Sequence, residues 1–133
     1  MRMYFFVMGN LSGRQQGIQA GHAAVEYSRH AADRVEGYEQ YAEFADDHKT
    51  FILLDGGGSQ DMPMRARELR SLNIKTASFY EPDLNNSLSA IAFILPEEIY
   101  GIDLADPGGE GDESNLRRYA IKSYISKFRL ASN

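Results

Sequence analysis

Between residues 81 and 89 the chain reads Glu-Pro-Asp-Leu-Asn-Asn-Ser-Leu-Ser, placing two carboxylates, two amides and two hydroxyls within nine residues. A carboxylate in such a segment can orient or deprotonate a water. Hydroxyls and amides can stabilise an oxyanion. Asp and Asn also build turns through local hydrogen bonds, which requires no function at all. A second candidate is GRQQGIQAGHAAVEY, from Gly13 to Tyr27. A helix starting at Arg14-Gln15-Gln16 would turn unpaired N–H groups and the positive end of its dipole toward an anion or a carbonyl oxygen. Gln15, Gln19 and His22 would lie along one face of it. Of these, Gln19 reads as a site residue. His22, set among alanines, reads first as a hydrogen-bonded core residue. The candidates are therefore Arg14, Gln15, Gln19 and His22 on the helix, and Glu81, Asp83, Asn86, Ser87 and Ser89 on the later segment.

The elements that must position these residues follow from hydrophobic periodicity and breakers. MYFFVM (3–8) reads as a buried strand stopped by Gly9-Asn10. One long helix is expected from about 14 to 35, with stripes at Gln15-Gln19-Ala23-Tyr27 and Ile18-His22-Val25-Arg29. Gly17 and Gly21, four apart, cost roughly 1 kcal/mol each relative to Ala and predict close approach of another backbone. EGYEQYAEFADDH (36–48) predicts a second helix and TFILLD (50–55) a second strand. Residues 61–73 predict a third helix, with Asp61 as N-cap and Pro63 in the first turn. IKTASFY (74–80) predicts a third strand and LSAIAFILP (88–96) a fourth. A short helical turn from Pro96, a loop at 103–114 and a last helix capped by Ser114 complete the order. In that helix Leu116, Ala120, Tyr124 and Phe128 fall on one stripe with Ile121 and Ile125 beside it. The expectation is a single α/β domain over 1–133: a mixed four-stranded sheet flanked by helices, with a core of about 3–100 and an added C-terminal amphipathic helix in a 103–133 extension. Helical crossovers imply parallel pairs, and the short connection between strands three and four implies an antiparallel one.

Length and composition bound the function. The chain has 133 residues, of which 43% are hydrophobic and 25% charged, and it lacks cysteine. That suits one domain with one core and excludes disulfide scaffolds and thiolate metal sites. The apolar run in MRMYFFVMGN is shorter than a signal peptide or a membrane span needs, so a cytoplasmic protein with no membrane partner is expected. The net charge is −5, but it is unevenly spread. Arg117, Arg118, Lys122, Lys127 and Arg129 lie near the C-terminus, and without them 9 basic face 19 acidic residues, a balance of −10. This segment reads as a basic helix face against an acidic body, or as a local phosphate contact. His22, His30 and His48 are scattered, so no metal cluster is expected. DGGGS lacks the spacing of a dinucleotide or P-loop motif, and no nucleophile elbow occurs.

The two candidate stretches together resemble the type II peptidyl-tRNA hydrolases. RQQGIQAGHA matches that family's helix-start pattern at Gln19, His22 and Ala23. The segments YAEFADDHKTFILLD, MRARELRSLN and IKTASFY follow in the family's order. Glu81-Pro82-Asp83 then stands for its Asp-Ala-Gly, and Ser89-Ala90-Ile91-Ala92-Phe93 for its Thr-Ala-Leu-Ala-Ile strand. The similarity runs from about residue 3 to 100. It implies hydrolysis, without metal or cofactor, of the ester joining a peptide to the terminal ribose of tRNA. The family's site Lys falls on Gln15, with Arg14 adjacent. Its Asp falls on Glu81, with Asp83 near, and its Thr on Ser89, with Ser87 as the alternative. On this resemblance Glu81 or Asp83 would position water, Ser89 or Ser87 would hydrogen-bond the ester, and Arg14 would contact phosphate, with tRNA as the partner. Loss of the Lys sustains a rival expectation, a catalytically degenerate domain that binds RNA or a protein. Homodimerisation through the first or last helix is compatible with either.

Overall fold

The structure, a computed structural model, describes residues 1–106 and 113–132. The strands are β1 (Arg2–Val7), β2 (Phe51–Asp55), β3 (Ala77–Glu81) and β4 (Ser87–Leu95). They form one sheet in the order β2-β1-β4-β3. β1 pairs parallel with β2, and β4 runs antiparallel to both β1 and β3. The carboxyl ends of β1, β2 and β3 thus share one rim with the start of β4. The helices α1 (Gly13–Ala32), α2 (Gln40–Glu43), α3 (Met62–Ser71), α4 (Glu97–Tyr100) and α5 (Glu113–Ile125) cover both faces. This is the single-domain mixed α/β architecture that the alternation of elements predicts.

β1 is apolar throughout because both of its faces are buried. Tyr4, Phe6 and Met8 point with Phe93, Leu69, Ile99, Ile121 and Ile125 into the core beneath α3, α4 and α5. Met3, Phe5 and Val7 point the other way, toward α1. There Ala20 and Ala23 meet Ala77, Ala90 and Ala92. Small side chains on both partners explain the alanine content of α1: they let the helix lie close to the sheet. Its buried face is Gln16, Gln19, Ala20, Ala23 and Tyr27, which includes most of one predicted stripe. The other stripe faces outward, with Ile18 45% and Val25 58% exposed. Gly17 and Gly21 correct the expectation of a close backbone, since a Cβ at either would meet nothing within 4 Å.

Several boundaries move for identifiable reasons. α1 stops at Ala32, short of the expected 35, because Arg34 turns left-handed (φ 57°). The Arg34 and Val35 N–H groups then bond the carbonyls of Ala31 (3.0 Å) and His30 (2.9 Å), which is a Schellman closure. The helix expected over 36–48 shrinks to α2 and a π-helical turn at Phe44–His48. Asp61 sits at the N-cap position of α3, but its carboxylate accepts from the Gly58 N–H (2.9 Å) instead of capping. β3 starts at Ala77 instead of Ile74.

The C-terminal segment is a structural layer more than an addition. α5 buries Ile121 and Ile125, with Tyr124 and Phe128 packed beside them, while Leu116 is 61% exposed. The buried stripe is therefore rotated from the one expected, and Ser114 lies inside the helix instead of capping it. Beyond α5 the chain pairs with the outer edge of β2: Asp55 N–H bonds the Arg129 carbonyl (3.0 Å) and Ala131 N–H bonds the Leu53 carbonyl (2.9 Å). This covers an edge that would otherwise expose its hydrogen-bonding groups. The basic residues divide. The Arg117 guanidinium donates to the Leu72 (3.0 Å) and Asn73 (3.1 Å) carbonyls beyond α3, and Lys122 Nζ donates to the Tyr100 carbonyl (2.5 Å) that ends α4. Both neutralise the negative ends of helices. The central part of the loop expected at 103–114, residues 107–112, lies outside the described residues. Among the described residues no helix is long and apolar enough to cross a membrane.

Candidate active site

Two connections meet at the carboxyl rim, and each is fixed by its own side chains. After β1 the chain turns at Gly9, where a Cβ would lie 2.1 Å from Asp55 Oδ1, so a larger residue would displace that carboxylate. Ser12 then caps α1, its Oγ accepting from the Gln15 N–H (3.2 Å). The buried Gln16 amide donates to the carbonyls of Leu11 (3.1 Å) and Gly9 (3.4 Å). These bonds pin the N-terminus of α1 to the rim. Gln16 was not among the expected residues, because a buried amide that serves a loop has no periodic signature.

The second connection is a 3₁₀ turn, Pro82–Leu84. Asn85 and Asn86 follow, both left-handed (φ 57° and 58°), a conformation that Asn tolerates better than most residues. The Asn86 N–H bonds the Glu81 carbonyl (3.0 Å), and Ser87 Oγ donates to the Leu84 carbonyl (2.7 Å). Ser87 and Asn86 therefore shape the turn, which is the turn-building reading of this segment. Asp83 is exposed on the turn.

β4 carries an irregularity here. Phe79 pairs with Ala90 and Tyr80 with Leu88, so Ser89 has no opposite number on β3. A bulge of this kind breaks the alternation of faces and re-aims a side chain. Leu88 points to one core, whereas Ala90 points to the other, and Ser89 points with Ala90 toward α1. Its Oγ reaches Gln19 Oε1 at 2.5 Å and the Phe79 carbonyl at 3.3 Å. Gln19 Nε2 donates to Glu81 Oε1 (3.2 Å) and Gln15 Oε1 (3.5 Å). A carboxylate only accepts, so the NH₂ end of Gln19 must face Glu81 and its oxygen must face Ser89.

The structure therefore brings together Gln15, Gln19, Glu81 and Ser89, four of the residues singled out from sequence. Gln19 and Ser89 are wholly buried, Glu81 is partly exposed and Gln15 is exposed. Ser89, expected to touch the ester, instead uses its proton inside the protein. His22 is not a core residue: it is exposed and stacks on the Phe79 ring at 4.4 Å and 19°. Phe79, absent from the expected set, thus forms the floor beside the network. Arg14 is exposed on the first turn of α1. Chemically the arrangement offers a carboxylate oriented by an amide beside the first two turns of α1, partly open to solvent. Clefts of about 490, 410 and 440 Å³ lie elsewhere, and none contains Gln19, Glu81 or Ser89. Among the described residues no three His, Asp or Glu side chains gather to hold a metal ion. No protein-family profile matches the chain, and no curated protein matches it significantly.

Proposed function

We propose that the protein is a hydrolase of the type II peptidyl-tRNA hydrolase kind, cleaving without a metal the ester between a peptidyl or N-blocked aminoacyl group and tRNA. The observation that carries the reading is the Ser89–Gln19–Glu81 chain of hydrogen bonds, in which residues 70 and 62 positions apart converge on the second turn of α1. Glu81 is the base. One oxygen is held by Gln19, and the second takes a proton from water as that water attacks the ester carbonyl; when the bond from the acyl carbon to the ribose oxygen breaks, the same proton passes to that oxygen, which leaves as a hydroxyl. Gln15 and the N-terminus of α1 face the oxygen that becomes negative. Arg14 binds phosphate, a role that suits the planar fork of donors on its guanidinium. Ser89 and Gln19 are positioning residues. A site partly open to solvent suits a substrate as large as tRNA, which brings its own walls.

The test is release of N-acetyl-amino acid from N-acetyl-aminoacyl-tRNA. Glu81→Gln should lower the rate about 10²–10⁴-fold, the usual worth of a general base, while Asp83→Asn should leave it within about twofold. Equal loss in both variants, or in neither, would remove Glu81 from its role. The amide at position 15, where the resembled family has a Lys, favours a second reading as an RNA-binding domain without catalysis. That reading gains if the folded protein releases nothing yet binds tRNA.

A further inference from the structure

A cleft of about 410 Å³ opens at the carboxyl end of β2, lined by Asp55, Asp61, Arg65, Lys127, Phe128 and Arg129 among others. Three cations face two carboxylates there, and those carboxylates already accept backbone N–H groups: Asp55 from Gly57 (2.9 Å) and Asp61 from Gly58 (2.9 Å). The glycine loop accordingly has those N–H groups engaged, so an anion in this cleft must be held by side chains. Arg65 lies over the Phe128 ring (4.9 Å) and contacts Glu68 (3.1 Å), yet its buried Nε has no hydrogen-bond partner among the described residues. Arg129 is 84% exposed and only 3.7 Å from Asp55 Oδ2 at its Nε. Lys127 is exposed. Arg117 and Lys122 are committed to helix ends, and Arg118 bonds Asn115 (3.3 Å). Of the basic C-terminal residues, Lys127 and Arg129 are the two that reach this rim.

The rim also carries the candidate active site. Asp55 is in register with Val7, and Val7 with Ala90, the neighbour of Ser89. Strand spacings of about 4.8 Å put the backbone of Asp55 about 10 Å from that of Ala90 and about 14 Å from β3, which carries Glu81, or roughly four nucleotides at about 3.4 Å each. We propose that Lys127 and Arg129, backed by Arg65, bind a backbone phosphodiester of the RNA whose ester lies at Glu81. This rests on the function proposed above for its geometry, and it adds a second contact supplied by the C-terminal segment.

The experiment is fluorescence anisotropy of labelled deacylated tRNA over a KCl series, with the full chain, the K127Q/R129Q variant and the charge-retaining K127R/R129K variant. Both side chains are exposed, and β2 pairs with the backbone of Arg129, so the substitutions leave the fold intact. Loss of one phosphate contact should make the slope of log affinity against log salt shallower by about 0.7, the value for a single strand. K127R/R129K should keep the wild-type slope. Equal slopes for the wild type and K127Q/R129Q, or no tRNA binding by the wild type, would overturn the proposal. Deacylated tRNA has no ester, so a protein that fails to hydrolyse but loses slope in K127Q/R129Q upholds the phosphate site while defeating the esterase reading.

Discussion

Ser89→Ala separates an anchor from a group that acts on substrate. Ser89 and Gln19 are both wholly buried, and their bond of 2.5 Å is the one that fixes the Gln19 oxygen. Without the hydroxyl, that oxygen is buried with no donor. It cannot be rescued by turning the amide over, because its oxygen would then face the Glu81 carboxylate. Leaving a buried acceptor unpaired costs about 1–3 kcal/mol, which in a domain of this size lowers Tm by roughly 3–10 °C. Loosening Glu81 should also slow ester release by about 10–100-fold, on the order of 1.4–2.7 kcal/mol of barrier. Gln19→Leu should lose stability and activity similarly, by stranding the Ser89 hydroxyl on its longer bond to the Phe79 carbonyl (3.3 Å). The double variant S89A/Q19L removes both buried polar groups. Its loss of stability should be smaller than the sum of the single losses by about 1–2 kcal/mol, while ester release stays slowed as in the single variants. Urea unfolding and the release assay measure the two quantities independently. If Ser89→Ala loses activity with its stability intact, Ser89 acts on the ester directly and the anchoring argument is wrong. Single losses that add to within about 0.5 kcal/mol would show that the two groups are not coupled.

Other consequences follow from the packing and the ionisable groups. Ile121→Ala should cost about 2–5 kcal/mol in urea unfolding, since Ile121 is wholly buried under the sheet and its removal leaves a cavity; a cost below about 1 kcal/mol would mean that α5 is dispensable. Burial, with nearby Tyr38 and Glu39, raises the Tyr27 phenol above its ordinary 10.0, and burial, with the hydrogen bond to Glu68, raises Tyr124 likewise. A folded-state pKa above the unfolded one gives stability that is complete below about pH 10 and declines as pH rises further, by up to about 1.4 kcal/mol per pH unit from Tyr27. Urea midpoints that stay level from pH 9 to 11 would contradict this.

β1, β2 and β4 were legible because each is a short apolar run ended by local breakers: Gly9-Asn10 after β1, Gly56-Gly58 after β2, Pro96 after β4; β3, with Ser78 and Glu81 among its residues, was placed with its start three residues early. Their relative directions were legible as well, because the length of a connection limits how two strands can pair. The ends of helices were less so. Arg34 supplies the left-handed residue that stops α1, where sequence rules look for Gly or Asn. At the site, residue types marked Gln19, Glu81 and Ser89, but not their roles. Those depend on the bulge at Ser89, which exists because β3 and β4 fall out of register beside Phe79. They depend also on which face of α1 meets the sheet, decided by alanines packing on alanines from three separate elements. His22 and Gln19 are three residues apart on one helix, yet one stacks in the open on Phe79 and the other is wholly buried. The division of the basic residues has the same origin, for Arg117 and Lys122 close helices whose ends only the folded chain brings to them. The elements, their order and a short set of polar candidates can be read from the residues alone, because these follow from local periodicity and connection length. Which candidates are buried anchors and which face a substrate was decided only by the tertiary structure, because burial and hydrogen-bond partnership are set by segments distant in the chain.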